Sequence, residues 1–281
     1  YRATDYYLMD GYNDSNYPDV TPERDGKRLI VQPNTFNMYC HREPRFYLTV
    51  VWNGQWFKWE NRNTNFLYGQ PDGGPTHDAP QNGYLNRSRV SLDYIPRDNN
   101  HPYRPAIIFR MAEAYLSYAE ALNESSERMS HKQEILDNLN KIRHRAGIAE
   151  YGTGTDENGF TRIKINFSDQ KEVRRLIHKE RRVEFVGEGV RYHDLRRWKT
   201  AHYGIGNLNE QGENPDWGVN GPDYGMNYYG TEYTDQGDNA FFKRTKYMDR
   251  VYPRKFYWYP IHQSEIDKDP TLVQGPFWLG E

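Results

Sequence analysis

The chain has 281 residues, enough to bury a sizeable core as one large domain or two small ones. Its 37 Lys and Arg against 39 Asp and Glu leave a formal charge of −2, which excludes a global field favouring nucleic acid or anionic lipid. One cysteine, Cys40, excludes an intrachain disulfide and a CxxC zinc spacing, and no apolar run approaches the roughly 20 residues that cross a bilayer.

Aromatic residues reach 15%, with 24 Tyr and 7 Trp, a composition suited to stacking on ligands. The chain opens Tyr1-Arg2-Ala3 without a signal segment and reads as processed, cleaved or partial. It is taken as one domain, 1–281, in three regions: loops and a hairpin over 1–104, a helical core over 105–200, and aromatic-rich loops with a C-terminal turn over 201–281.

The first region is rich in Pro, Gly, Asn and Asp. Residues 45–52 and 55–60 are β-prone and flank Asn53-Gly54, which predicts a hairpin with a type I′ turn. Alternation along it puts Trp56 and Lys58 on one face and Phe57 and Trp59 on the other. Pro105 is expected to start a helix whose apolar stripe is Ile108, Met111, Ala112, Tyr115, Tyr118, Ala119 and Leu122. Ser130 and Gln133 resemble a capping box. Ile135, Leu136, Leu139, Ile142 and Ala146 then carry a second helix to Gly147, which completes an αα-hairpin. After a loop over 149–162, a third helix is expected from an N-cap at Ser168, with Val173, Leu176, Ile177 and Val183 on one stripe, ending at Gly187 to Gly189. A short fourth helix covers about 190–198. Residues 201–252 read as loop, 256–261 as a strand, and a helical turn begins near Ser264.

The stretch HKERRVEFVGEGVRYHDLRRW at 178–198 is dense in charge. Continuing the third helix's period from Val173, Leu176 and Ile177 reaches Glu180 and Glu184, so a carboxylate faces the core and needs a guanidinium. Arg181, Arg182, Arg191 and Arg197 are the nearby donors. A bend at Gly187 and Gly189 would return Arg191 and Asp194 towards that carboxylate, and Asp194 can pair with Arg197 three residues on. Competing readings are weaker. His193-Asp194-Leu195 lacks the glycine loop and DFG triplet of a kinase, His178 and His193 lack metal-site spacing, and acidic residues interrupt any nucleic-acid stripe. The segment is read as a structural charge network of Glu180, Arg181, Arg182, Glu184, Arg191 and Asp194.

Five blocks carry a family resemblance: the opening segment, PRFYLTV at 44–50, RMAEAYLSYAEALNE at 110–124, LNKIRHRAGI at 139–148 and YPIHQSEI at 259–266. In this order they make the chain similar to the C-terminal part of SusD/RagB outer-membrane nutrient-binding lipoproteins. The closing Asp269-Pro270 and Gln274-Gly275-Pro276 depart from the family's Asn-Pro and Gln-Asn-Pro. The resemblance implies a mainly α fold, with tetratricopeptide-like helix pairs packed against an irregular, loop-rich region. It implies binding without catalysis and without a cofactor or metal: capture of oligosaccharides or peptides for a SusC-like TonB-dependent transporter. It places the protein on the cell surface at the outer membrane, anchored by lipid through an N-terminal segment absent from this chain. Without that part of the domain, residues 105–200 are expected to expose apolar helix faces.

Flat rings bordered by polar groups suit sugar recognition. The candidate ligand residues are Trp56, Trp59 and Tyr68 around the hairpin, and Trp217, Tyr228 and Tyr229 in the long loop. Acidic loops at Asp72–Asp78 and at 156–159 could hold calcium, but turn chemistry accounts for them. Two other functions compete: a helical-repeat scaffold that binds protein only, and a glycoside hydrolase, which requires two carboxyls about 5 to 9.5 Å apart in a cleft.

Overall fold

A computed structural model describes residues 23–24, 27–28, 35–39, 42–57, 60, 62–88, 90, 98–99, 101–103, 105–204 and 218–279. They fall into two compact units, 1–188 with 226–244, and 189–225 with 245–281.

In the first unit β1 (Glu23–Arg24) pairs antiparallel with β2 (Lys27–Arg28). The next segment corrects the expected hairpin. Pro44–Thr49 is a helix, α1, started by the fixed φ of Pro44. Tyr47 is fully buried on it, and its hydroxyl donates to the carbonyl of Tyr39 at 2.7 Å. Burial of this ring overrides the β propensity of the run. A turn does form at Asn53-Gly54, with the Gln55 N–H donating to the Trp52 carbonyl at 3.2 Å, but only Gly54 has a positive φ, so it is not the expected type I′. However, its polar groups are taken by residues further on: Asn53 Oδ1 accepts from the Phe66 N–H at 2.7 Å, and the Thr64 hydroxyl donates to the Trp52 carbonyl at 2.7 Å. The strands therefore diverge. β3 (Val50–Trp52) pairs with β6 (Tyr84–Asn86), and the hairpin lies one element later, between β4 (Trp56–Phe57) and β5 (Arg62–Asn63). Around this corner Phe36, Tyr39, Tyr47, Trp52 and Phe66 pack with Met226, Phe241 and Phe242, and Phe36 stacks on Phe242 at 3.8 Å.

Three helices form the remainder of this unit: α2 (Met111–Glu124), α3 (Lys132–Arg145) and α4 (Gln170–Glu184), with α2 packed on both others. α2 starts six residues later than Pro105. Arg110, its N-cap, is extended (φ −144°, ψ 155°), and its guanidinium is bound by Glu184 and Glu188. The buried face is Ala112, Leu116, Ala119 and Leu122, while Ile108, Met111 and Tyr118 of the expected stripe are exposed. The α3 stripe of Ile135, Leu136, Leu139, Ile142 and Ala146 is buried as read from its period. The Ser130/Gln133 box does not form. Ser130 donates to the Glu127 carbonyl and Gln133 to Asp137, leaving His131 as N-cap. On α4 the cap is Asp169, one residue past Ser168, accepting from the N–H groups of Lys171 and Glu172. Asn123 and Gln170 exchange side-chain-to-backbone hydrogen bonds, at 3.3 and 2.7 Å, and Arg174 grips Glu124, which clasps α2 to α4.

Glu180 and Glu184 are buried, as their period requires, but their donors are not the arginines beside them. Glu180 accepts from Arg45 at 2.7 Å and Arg143 at 2.9 Å. Glu184 accepts from Arg45 at 3.0 Å, and from Arg110 and Arg145. The network thus ties α1, the entry to α2, and α3 onto α4. Burial works against the charge on Arg45, yet Glu180, with Glu43 and Glu184, drives its pKa above the ordinary value. Arg181 turns to Ser117 (3.0 Å) and Glu120 (3.9 Å), and Arg182 is exposed. The side chains of residues 181 and 182 point elsewhere because successive helical residues lie about 100° apart, so neighbours in sequence cannot share the face of Glu180. Gly187, at φ +78°, sits so close to Asn86 and Ser88 that a Cβ would come within 2.1 Å of the Asn86 amide.

The second unit holds α5 (Val190–Arg197), β7 (Gly221–Gly225) paired antiparallel with β8 (Thr245–Arg250), and α6 (Gln263–Lys268). Leu195, Ala201 and Tyr257 form its small core. Arg191 and Asp194 belong to this unit, where Asp194 is buried and Arg197 donates to it at 2.9 Å. The β7–β8 ladder replaces the loop expected over 201–252, hidden in sequence by the Gly-Pro start of β7. The strand expected at 256–261 is instead a 3-10 turn, Arg254–Tyr257, entered from Pro253, which turns Tyr257 into the core. α6 begins one residue before Ser264, capped by the His262 ring.

Replacing Glu184 with Ala is expected to cost about 3–5 kcal/mol in urea unfolding, because it removes the buried carboxylate shared by the guanidiniums of Arg45, Arg110 and Arg145. Arg145→Ala, whose side chain is 57% exposed, is expected to cost less than about 1 kcal/mol in the same measurement.

Candidate functional site

Three of the six candidate ligand residues meet in the first unit. Tyr68 follows β5 in a turn-rich loop, and its N–H donates to the Gly230 carbonyl at 2.8 Å. That bond brings the loop against Tyr228 and Tyr229. The ring centroids lie 6.1 Å apart for Tyr68–Tyr228, 5.6 Å for Tyr68–Tyr229 and 5.1 Å for Tyr228–Tyr229, the last pair perpendicular. Edge-to-face packing leaves the three rings facing different directions, so they form an angled platform rather than a stack. Tyr229 is 70% exposed, and Tyr68 and Tyr228 are half-buried.

Each loop under the platform is held from below. Tyr228 packs on Gly74, where a Cβ would come within 2.6 Å of the ring, and its hydroxyl donates to the Thr76 carbonyl at 3.3 Å. Asn227 accepts from the Tyr229 N–H at 3.1 Å and donates to the carbonyls of Asp238 and Ala240, which fixes the second loop. In the first loop Asp72 receives both terminal nitrogens of Arg62, at 2.6 and 2.9 Å, and the Asn65 N–H at 2.8 Å. Burial raises the pKa of Asp72, but the Arg62 fork and the Asn65 amide outweigh it and hold the carboxyl below its ordinary value. The acidic residues that suggested calcium are thus working in turns. Asp156 does the same, accepting from the N–H groups of Glu150, Asn158 and Phe160.

Thr76, whose carbonyl Tyr228 bonds, is exposed, as are Gln70, His77 and Asp78 of the same loop. Ring faces beside hydroxyl-competent groups can take the C–H face of a sugar ring, or an apolar peptide side chain, while polar groups orient it. Of the remaining candidates, Trp56 contributes backbone to β4, and Trp59 and Trp217 lie outside the described residues. Gly73-Gly74-Pro75 and Asn227, which support the platform, were missed in the sequence. A paired glycine facing a later Tyr-Tyr is too weak a signal to connect them. The histidines singled out as conceivable ligands are apart in role: His178 is buried 3.7 Å from Glu120, and His193 is exposed. Among the described residues no helix is long and apolar enough to cross a membrane.

Paired helices against a loop-rich, ring-bearing region define a mostly helical, tetratricopeptide-like fold. A model of the SusD family matches residues 3–278, and the chain belongs to that family. SusD-like proteins P25 and P38 of Formosa agariphila are each 32% identical to it, over 109 and 103 residues. These matches cover 39% and 37% of this chain but only 18% and 19% of those proteins. A SusD-like protein from Bacteroides fragilis NCTC 9343 has a similar crystal structure, with TM-score 0.58 and 28% identity over 87% of this chain. The chain accounts for 40% of that structure's length.

Because the folded pKa of Asp72 is depressed, its contribution to stability is complete above the unfolded value of about 3.9 and is lost as pH falls through the folded value. Acid titration followed by NMR is expected to show the Tyr68 resonances shifting below about pH 4, and Asp72→Asn is expected to remove that transition.

Proposed function

We propose that this protein is a cell-surface substrate-binding lipoprotein. It captures an oligosaccharide or peptide on the platform of Tyr68, Tyr228 and Tyr229 and delivers it to a SusC-like TonB-dependent transporter in the outer membrane. Membership of the SusD family supports the general role. The observation that carries the site is the convergence of three tyrosines on two loops, each anchored by backbone hydrogen bonds. Pre-set rings lose little freedom on binding, which favours recognition by stacking. The proposed role is capture and hand-over, without bond-breaking, and the anchor would be a lipid on a segment N-terminal to Tyr1.

The scaffold reading keeps one observation in its favour. Tyr103, Ile107, Ile108, Phe109 and Met111 form an exposed apolar run before and at the start of α2. Such a run fits contact with further protein.

Calorimetry of the full chain against a panel of neutral oligosaccharides and peptides is expected to find a ligand whose affinity falls at least about tenfold in Tyr68→Ala and in Tyr229→Ala. Tyr228→Phe is expected to change it little, since the ring rather than the hydroxyl supplies the platform. Unchanged affinity in both alanine variants would remove the platform from the binding site. Affinity purification from native outer membranes is expected to recover a TonB-dependent transporter, and its absence would count against the delivery role.

A further inference from the structure

A second concave surface lies away from the tyrosine residues in sequence and shares none of their side chains. It is a groove of about 890 Å³ between α3 and the 149–167 loop, with Tyr115 of α2 in its lining. Its volume is that of a small-ligand site.

The loop wall is built rigidly. Asn140 of α3 bonds both the carbonyl and the N–H of Tyr151, at 2.9 and 2.8 Å. Glu150, buried in the wall, is held by Arg162 at 2.8 Å and faces His144 at 3.2 Å. These groups neutralise one another, so the charge open to a ligand comes from elsewhere.

Three ammonium groups supply it. Lys141 sits 4.5 Å above the Tyr115 ring, Lys132 sits 5.3 Å above the Phe167 ring, and Lys164 stands exposed on the loop. None of the three is in an ion pair among the described residues. An ammonium resting on a ring face is steadied without being neutralised, and its remaining N–H groups stay available for a carboxylate. Asp137 and Glu157 also line the groove and are in no ion pair among the described residues, so they would repel a uniformly acidic chain but accept hydrogen bonds from hydroxyls.

We infer that this groove is a second glycan site, selective for an acidic oligosaccharide whose uronate carboxylates bind Lys132, Lys141 and Lys164 and whose hydroxyls bind Asp137 and Glu157. A polyglutamate peptide offers the carboxylates without the hydroxyls and meets those two acids unfavourably. The inference does not depend on the tyrosine platform.

Trigalacturonate, a neutral trisaccharide of glucose and tetraglutamate serve as probes for calorimetry on the full chain. Trigalacturonate is expected to bind, and to weaken at least tenfold in a Lys132→Gln/Lys141→Gln/Lys164→Gln variant and several-fold between 50 and 300 mM salt. Arg at the same three positions is expected to retain most of the affinity, and Tyr68→Ala/Tyr229→Ala to leave it unchanged. All three lysines are exposed, so each variant is expected to fold, which circular dichroism checks. Three results would overturn the inference: no binding of trigalacturonate at millimolar concentration, equal binding by the Gln triple variant, or equal or tighter binding of tetraglutamate. Loss of trigalacturonate binding in the tyrosine variant alone would place the sugar on the platform and also overturn it.

Discussion

Two carboxylates inside the helical core, Glu180 and Glu184, set the arrangement of the first unit. Each would be strongly destabilising alone, since a buried charge loses its hydration and regains it only through close partners. Four arginines meet that requirement, and they arrive from three directions: Arg45 from α1, Arg110 from the entry to α2, and Arg143 and Arg145 from α3. Apolar packing alone tolerates helices sliding by part of a turn. Guanidinium–carboxylate geometry does not, because a displaced fork leaves a charge unpaired. The network therefore works less as a source of net stability than as a selector of one packing register.

That selection extends beyond the helices. α1 takes its place through Arg45, and its Tyr47 and the neighbouring Trp52 enter the aromatic core with Phe66 and Phe241. The same core receives Met226, so the segment carrying Tyr228 and Tyr229 leaves it already positioned beside Tyr68. On α3, Arg143 turns inward to Glu180, while Asn140 and Lys141 face the groove. Both candidate binding surfaces are thus side products of one buried ionic arrangement, finished by local ties such as Arg62–Asp72 and Asn140–Tyr151.

Legibility in the sequence followed the range of the interaction. α3 could be read residue by residue because its stripe has a clean period, while α4 differed in its cap, Asp169 instead of Ser168, in its end at Glu184, and in Val183, which is only half-buried. The start of α2 was misread because Arg110 is held extended by Glu184 at the end of α4 and by Glu188 just past it, a force no local pattern reports. The hairpin was misplaced for a related reason: Asn53-Gly54 turns the chain, but with positive φ at Gly54 and not at Asn53, unlike a type I′ turn, and Phe66 and Thr64 capture the polar groups around it. Of the ligand candidates, Tyr68, Tyr228 and Tyr229 were nameable by residue type, but their meeting was not.

The sequence by itself determined that at least one carboxylate on α4, from Glu180 and Glu184, must face the core and be compensated, that the centre of the chain is helical, and that the chain resembles the SusD family. Periodicity carries such facts because it depends on spacing within one element. Tertiary structure alone decided which arginines answer the glutamates, choosing Arg45, which lies 135 residues from Glu180, over adjacent Arg181. The reason is geometric: a helix turns its neighbours in sequence onto different faces, so a buried charge is met by whatever other elements bring to its own face.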